Sequence, residues 1–177
     1  PPGVMGANLS VFSFNGNKTV TAGGGGIVAG DDLALVAKVK HLSTTARQGE
    51  DYEHDEIGFN YRMTNLQAAV GVAQMEMLDQ MVAAKRRIRA RYDAVFQGLQ
   101  GLRIFPDPEW AESACWFSGV VFENPKPGLL KAIRGELRHA GIDARPFWQP
   151  IHCQPPFADA PTELTGVSES LKDALDR

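Results

Sequence analysis

The order of apolar and polar positions divides the chain into recognisable segments. Val11 to Phe14 alternates apolar with polar and predicts a buried strand end. A polar turn, Asn15-Gly16-Asn17-Lys18, separates it from Thr19-Val20-Thr21 and four glycines, Gly23 to Gly26. Ile27-Val28-Ala29 predicts a second short strand. Gly30-Asp31-Asp32 closes it and offers an N-cap for a helix over residues 33–41. Residues 43–60 are polar without a period and predict a long excursion, a type of segment that more often carries function than not. Thr64 and Gln67 then form a T-x-x-Q capping box. Apolar residues follow at Leu66, Val70, Ala73, Met77, Met81, Ala84, Ile88, Tyr92, Val95 and Leu99, in steps of three and four on one helical face. At ~1.5 Å per residue this is a connector roughly 50 Å long, either one helix or two with a bend. Arg103 to Phe105 and Trp116 to Phe122 predict strands. Gly128 to Ala140 predicts an amphipathic helix closed by Gly141, and Ile142 to Arg145 a last strand stopped by Pro146. Proline and aromatic residues crowd positions 146–157, and Ser168 to Arg177 has a helix-like pattern. The sequence has no internal repeat.

Composition narrows the class. The 177 residues are 44% hydrophobic and 22% charged, which is ordinary globular usage and excludes a disordered tail or a disulfide-stapled miniprotein. The net charge of −3 excludes a basic surface for nucleic acid or an anionic membrane. Apolar runs are too short to span a bilayer. Cys115 and Cys153 belong to no metal or redox motif, so two free thiols in a reducing, cytoplasmic compartment are expected. The chain opens Pro1-Pro2-Gly3 without a signal-peptide pattern and stops inside the helix-like stretch, and part of a larger protein is expected.

The first candidate for chemistry is Lys18. A lone loop lysine is ordinarily a solvated charge. This one lies between two apolar strands and ahead of four glycines, which are useful where a backbone is closely approached or takes positive φ. A flexible hairpin turn is the plain alternative. A phosphate-binding P-loop fails, because Gly16-Asn17-Lys18-Thr19 has an extra residue before the lysine and lacks the earlier glycine. A Rossmann fingerprint fails because the glycines lead into a strand. The basic run Lys85 to Arg91 reads as a solvated helix face, and Met75, Met77 and Met81 as packing or a dimer seam. His41, His54, His139 and His152 have no metal-ligand spacing, and no metal site is expected.

Three stretches together carry a resemblance. The segment from Ser13 to Val28, S-F-N-G-N-K-T-V-T-A-G-G-G-G-I-V, resembles the active-site lysine segment of the DegT/StrS family of pyridoxal phosphate-dependent nucleotide-sugar aminotransferases. Gly58 to Ala69, G-F-N-Y-R-M-T-N-L-Q-A-A, resembles that family's second signature, and Arg145 to His152, R-P-F-W-Q-P-I-H, a third near the end of its small domain. They occur in the family's order.

The resemblance implies an α/β chain, the C-terminal part of a fold-type I aminotransferase. Residues 1–62 would be the final strands and active-site loop of the large domain, 63–100 the connecting helix, and 101–177 a small, incomplete α/β domain. The ring-stacking aromatic and the carboxylate for the pyridine nitrogen would lie upstream. Lys18 is then the residue that bonds pyridoxal phosphate, suited by a primary amine that can lose its proton. Ser13, Asn60 and Arg62 would hold the cofactor phosphate, the last two across a homodimer interface. The plain alternatives are a strand serine satisfied by backbone and an arginine paired with Asp55 or Glu56. Arg145, Trp148 and His152 are candidates for the nucleotide-sugar, with core packing or backbone satisfaction as equal alternatives for Trp148 and His152.

The activity implied is transfer of an amino group from an amino acid, glutamate, to a nucleotide-linked keto-sugar. The G-N-K-T and N-Y-R-M variants resemble members acting on UDP-linked 4-keto-6-deoxy sugars. Dehydratases of the same family carry histidine in place of this lysine, so Lys18 argues against that alternative. A third reading is a non-catalytic dimerisation fragment, which the long amphipathic helix favours.

Overall fold

The computed structural model describes residues 8–105, 107–124 and 126–161. The stretch 168–177 lies outside the described residues. The chain divides into two units, residues 1–89 with 113–116, and residues 90–112 with 117–177.

The first unit begins with an antiparallel hairpin. Strand β1 (Ser10–Ser13) pairs with β2 (Gly26–Ala29) in the register Ser10 to Ala29 and Ser13 to Gly26. Gly26 is required sterically, since a Cβ there would stand 2.5 Å from the Phe12 carbonyl oxygen. The connection is itself hydrogen-bonded. Lys18 N–H donates to Asn15 O (3.0 Å), Ala22 N–H to Phe14 O (3.0 Å) and Phe14 N–H to Gly25 O (3.0 Å). Gly23 and Gly25 both take positive φ. Val20 and Ala22, from this connection, are among the few buried apolar residues.

Helix α1 (Leu33–Ser43) starts where Asp32 caps it, its carboxylate accepting from the N–H groups of Ala34 (2.9 Å) and Leu35 (3.1 Å). The excursion after it folds back on the helix end instead of wandering. Phe59 N–H reaches Leu42 O (2.7 Å), Tyr61 N–H reaches Ser43 O (2.9 Å), and Thr44 bridges Asn60. Within it, β3 (Arg47–Gln48) and β4 (Glu53–His54) form a short hairpin.

Helix α2 (Asn65–Met75) opens with the expected capping box. Thr64 Oγ1 accepts from Gln67 N–H (3.3 Å), and the Gln67 side chain accepts from Thr64 N–H (3.1 Å). The connector is two helices, α2 and α3 (Leu78–Phe96), separated at Glu76 and Met77. Glu76 keeps helical angles (φ −60°, ψ −23°), and Met77 N–H reaches back three residues, to Gln74 O at 3.1 Å, where the α-helical ladder is interrupted. The glycine tetrad receives α2: a Cβ on Gly25 would meet Met63 Cε at 3.1 Å, and one on Gly24 would meet Gln67 Nε2 at 3.6 Å. Gly71, buried in α2, lies 3.6 Å by the same measure from Ala22 Cβ.

The basic run differs in part from the expected solvated face. Arg89 is buried, at 6% exposure, and Arg86 Nε donates to Ser113 O at 3.1 Å. Met75 and Met77 remain about half exposed among the described residues.

The second unit holds β5 (Leu102–Ile104) antiparallel to β6 (Val120–Phe122), then α4 (Leu129–His139). The predicted strand 116–122 forms only over its last three residues. Cys115, at φ +50°, turns the chain just before the predicted segment begins. Gly141 ends α4 as expected: its N–H reaches Arg138 O (3.0 Å) and Ile142 N–H reaches Leu137 O (2.8 Å), with Gly141 at φ +78°. The predicted strand over 142–145 does not form, and among the described residues no strand pairs with it. The crowded aromatics make a cluster in which Phe147 meets Phe105 edge-on at 5.0 Å and Trp148 lies 5.6 Å from Phe117. Two short 3₁₀ turns follow at Ile151–Cys153 and Pro155–Phe157.

Among the described residues no large side chain is fully buried. Val11, Ile57, Tyr61 and Leu66 are each at least three-quarters exposed. That much uncovered apolar surface is unusual for a chain that folds alone.

Candidate active site

Lys18 stands at the tip of the β1–β2 connection, half-buried. Its Nζ lies 3.5 Å from the centroid of the Trp116 ring, within cation–π range. The indole is fixed independently, because Trp116 Nε1–H donates to Asn17 O at 2.6 Å. The segment carrying it is anchored in the same unit: Arg86 holds Ser113 O, and Ser113 Oγ accepts from Cys115 N–H at 3.0 Å. Ser13 ends β1, where its Oγ accepts from Asn15 N–H at 3.3 Å and leaves its own proton available to a ligand. Lys18 is therefore not the freely solvated loop charge of the plain alternative.

The excursion builds a second feature. Asn60 and Arg62 line an open cleft of about 360 Å³ together with Arg47, Thr44, Thr45 and Gly49. The two carboxylates that could have paired with Arg62 are already engaged. Asp55 bonds His41 Nε2 (2.6 Å) and Gln48 Nε2 (2.9 Å), and Glu56 pairs with Lys38. The Gln48 amide, and then His41, hold the Asp55 carboxyl below its ordinary value. Arg47 is steadied by Glu50 O (2.7 Å) and the Tyr52 ring (4.7 Å). Two arginines, an asparagine, two threonines and a glycine therefore line one cavity, residue types that suit a phosphate dianion. Thr45 and Ala46 hold φ of +68° and +51°, a conformation that costs free energy and is retained where surrounding structure over-determines it.

Arg145, Trp148 and His152 belong to the second unit. Arg145 is exposed and pairs with Asp143 (2.9 Å); Trp148 belongs to the aromatic cluster and remains 60% exposed; His152 is half-buried in the first 3₁₀ turn. Both cysteines are free thiols, and no group of three His, Cys, Asp or Glu among the described residues could hold a metal ion. Among the described residues no helix is long and apolar enough to cross a membrane. Sequence reasoning did not single out Trp116 or Arg47. The first falls in a stretch whose pattern predicts a strand, and the second sits in an excursion with no pattern to mark it.

The model of the DegT/DnrJ/EryC1/StrS aminotransferase family matches residues 2–175. The chain belongs to this family. EpsN of Bacillus subtilis (strain 168), named as a pyridoxal phosphate-dependent aminotransferase, is 40% identical over 154 residues, 86% of this chain and 39% of its own length. A GDP-perosamine synthase of Vibrio cholerae is 35% identical over 155 residues, 85% of this chain and 41% of its own. The crystal structure of the aminotransferase TlmJ from Streptoalloteichus hindustanus superposes with a TM-score of 0.81 at 22% identity, over 98% of this chain and 46% of TlmJ. The mixed α/β fold is thus that of part of such an enzyme. The chain spans about two fifths of the length of these curated relatives, 39% and 41%.

Proposed function

We propose that this chain is the lysine-bearing, C-terminal part of a pyridoxal phosphate-dependent aminotransferase. It would move an amino group from an amino acid, glutamate, to a nucleotide-linked keto-sugar, giving an amino sugar. Membership of the family supports the reaction class, and the observation that carries the site is Lys18, half-buried with its Nζ on the face of Trp116.

The residues present fit the cofactor. A primary amine is available for the aldehyde, and Asn60 and Arg62 line a cleft whose donors match a phosphate. Ser13 would give its hydroxyl proton to the same phosphate. When bound, pyridoxal phosphate supplies an electron sink for the carbon that loses or gains the amino group. Lys18 would anchor the aldehyde at rest. Its Nζ would also be the group placed to take up and release a proton beside the bound cofactor.

Asn60 and Arg62 would act in trans, on the partner subunit's cofactor in a homodimer. The exposed Tyr61, Ile57 and Leu66 beside them support burial against a second subunit. In this reading residues 1–62 end the large domain, 63–100 connect, and 101–177 form a small C-terminal domain bearing Arg145, Trp148 and His152 toward the nucleotide-sugar. The nucleotide is proposed as UDP or GDP, since the Vibrio cholerae relative is named for a GDP-linked product.

The test is turnover by the complete protein carrying this chain, with pyridoxal phosphate, glutamate and UDP- or GDP-linked 4-keto-6-deoxy sugars. Equal amounts of amino sugar and 2-oxoglutarate are expected. A deoxygenated sugar formed with 2-oxoglutarate and free ammonia, and no amino sugar, would overturn the reading in favour of dehydration.

A further inference from the structure

We infer that Trp116 is a positioning residue for Lys18, holding its amine in place through the π face of the indole; the inference rests on the assignment of Lys18 above. Three observations carry it. Nζ lies 3.5 Å from the ring centroid, close enough for the ring's negative face to attract an ammonium group. The indole cannot swing away freely, because its Nε1–H is spent on Asn17 O at 2.6 Å, one residue before the lysine. The backbone that presents it is held by Arg86 through Ser113 and by a left-handed Cys115 buried to 7% exposure. A non-glycine residue at positive φ persists where its surroundings demand it, and here the turn delivers Trp116 to the lysine.

The physical consequence concerns the freedom of a long side chain. Four methylene groups let a lysine amine wander, and each rotamer that points elsewhere removes the nucleophile from its place. A ring beneath the ammonium, hydrogen-bonded to the same turn that carries the lysine, ties the two side chains into one body. The ring's pull is electrostatic and is directed at the charged amine, so it keeps the end of the side chain at this turn. An apolar residue of similar bulk would fill the space without this selectivity for charge.

The test uses the complete protein freed of cofactor. Pyridoxal phosphate is added and the carbon–nitrogen bond is fixed at timed intervals with borohydride. Amine and aldehyde condense with loss of water, and borohydride then delivers hydride to the carbon. The modified lysine is identified by peptide mass. Trp116→Phe keeps a π face and is expected to label Lys18 within about twofold of the wild-type rate. Trp116→Leu keeps bulk alone and is expected to label it about five- to tenfold more slowly, because the amine then samples rotamers that point away from the turn. In turnover, the Leu variant is expected to lose kcat by a similar factor with the KM for glutamate little changed. Equal labelling rates for Phe and Leu, or a Leu variant as fast as wild type, would overturn the inference. Wild-type label on a lysine other than Lys18 would instead overturn the assignment it rests on.

Discussion

Gly58 packs so closely on Thr45 that a Cβ at position 58 would stand 2.3 Å from the Thr45 carbonyl carbon and 2.4 Å from Ala46 N. Thr45 and Ala46 are the two left-handed residues of the excursion other than Gly49, and Ala46 is wholly buried. The glycine therefore locks the bend that sets Asn60 and Arg62 in their cleft. The clash is with backbone, which cannot rotate aside. Gly58→Ala is expected to cost about 1–3 kcal/mol, as overpacking does. Urea denaturation of the complete protein would measure it, and an unchanged midpoint would contradict this role.

Helix α2 depends on its first turn. Replacing Thr64 by alanine removes the acceptor for Gln67 N–H and is expected to cost about 1 kcal/mol. The effect should appear in the same denaturation experiment, while Thr64→Ser, which keeps the oxygen, should stay near wild type.

The excursion should also respond to acid. Asp55, bonded to Gln48 and His41, has its carboxyl held below the ordinary carboxylate value. A lowered folded-state value means that the ionised group stabilises the fold above the ordinary range, and that this contribution is lost as pH falls through the lowered value. Protection of the amides across residues 45–58, corrected for the intrinsic pH dependence of exchange, should fall progressively as pH drops from the ordinary carboxylate range through the lowered value. Asp55→Asn should exchange faster at neutral pH and lose this acid step.

If Asn60 and Arg62 act across a dimer, two inactive variants should complement each other. Lys18→Ala and Arg62→Ala proteins are each expected to be inactive or nearly so. After mixing and subunit exchange, one site in a hybrid dimer would carry both an intact lysine and an intact arginine. Recovery of part of the wild-type activity is expected, and none would count against a shared site.

What could be read from the sequence was mostly local. Asp32, the Thr64–Gln67 box and Gly141 each sit within four residues of the groups they satisfy, so their elements followed from short-range rules. The strand expected over 142–145 needed a distant partner, and alternation of apolar and polar residues cannot supply one. Ambiguity between one helix and two persisted because Glu76 stays helical through the interruption. At the site, Lys18 stood out through a motif of neighbouring residues. Its companion did not: Asn17 and Trp116 are 99 positions apart, and nothing near Trp116 marks it as facing a lysine. The apolar residues left uncovered, Val11 and Leu66 among them, have no counterpart within the described residues to pack against, which accords with a chain that spans 39% of the EpsN length.

The most direct measurement is the site of covalent attachment. The complete protein would be loaded with pyridoxal phosphate, reduced with borohydride, digested and mapped by mass spectrometry. The label is expected on Lys18 alone, and Lys18→Ala protein should carry none. Label on another lysine, or undiminished label after Lys18→Ala, would contradict the role given to this amine.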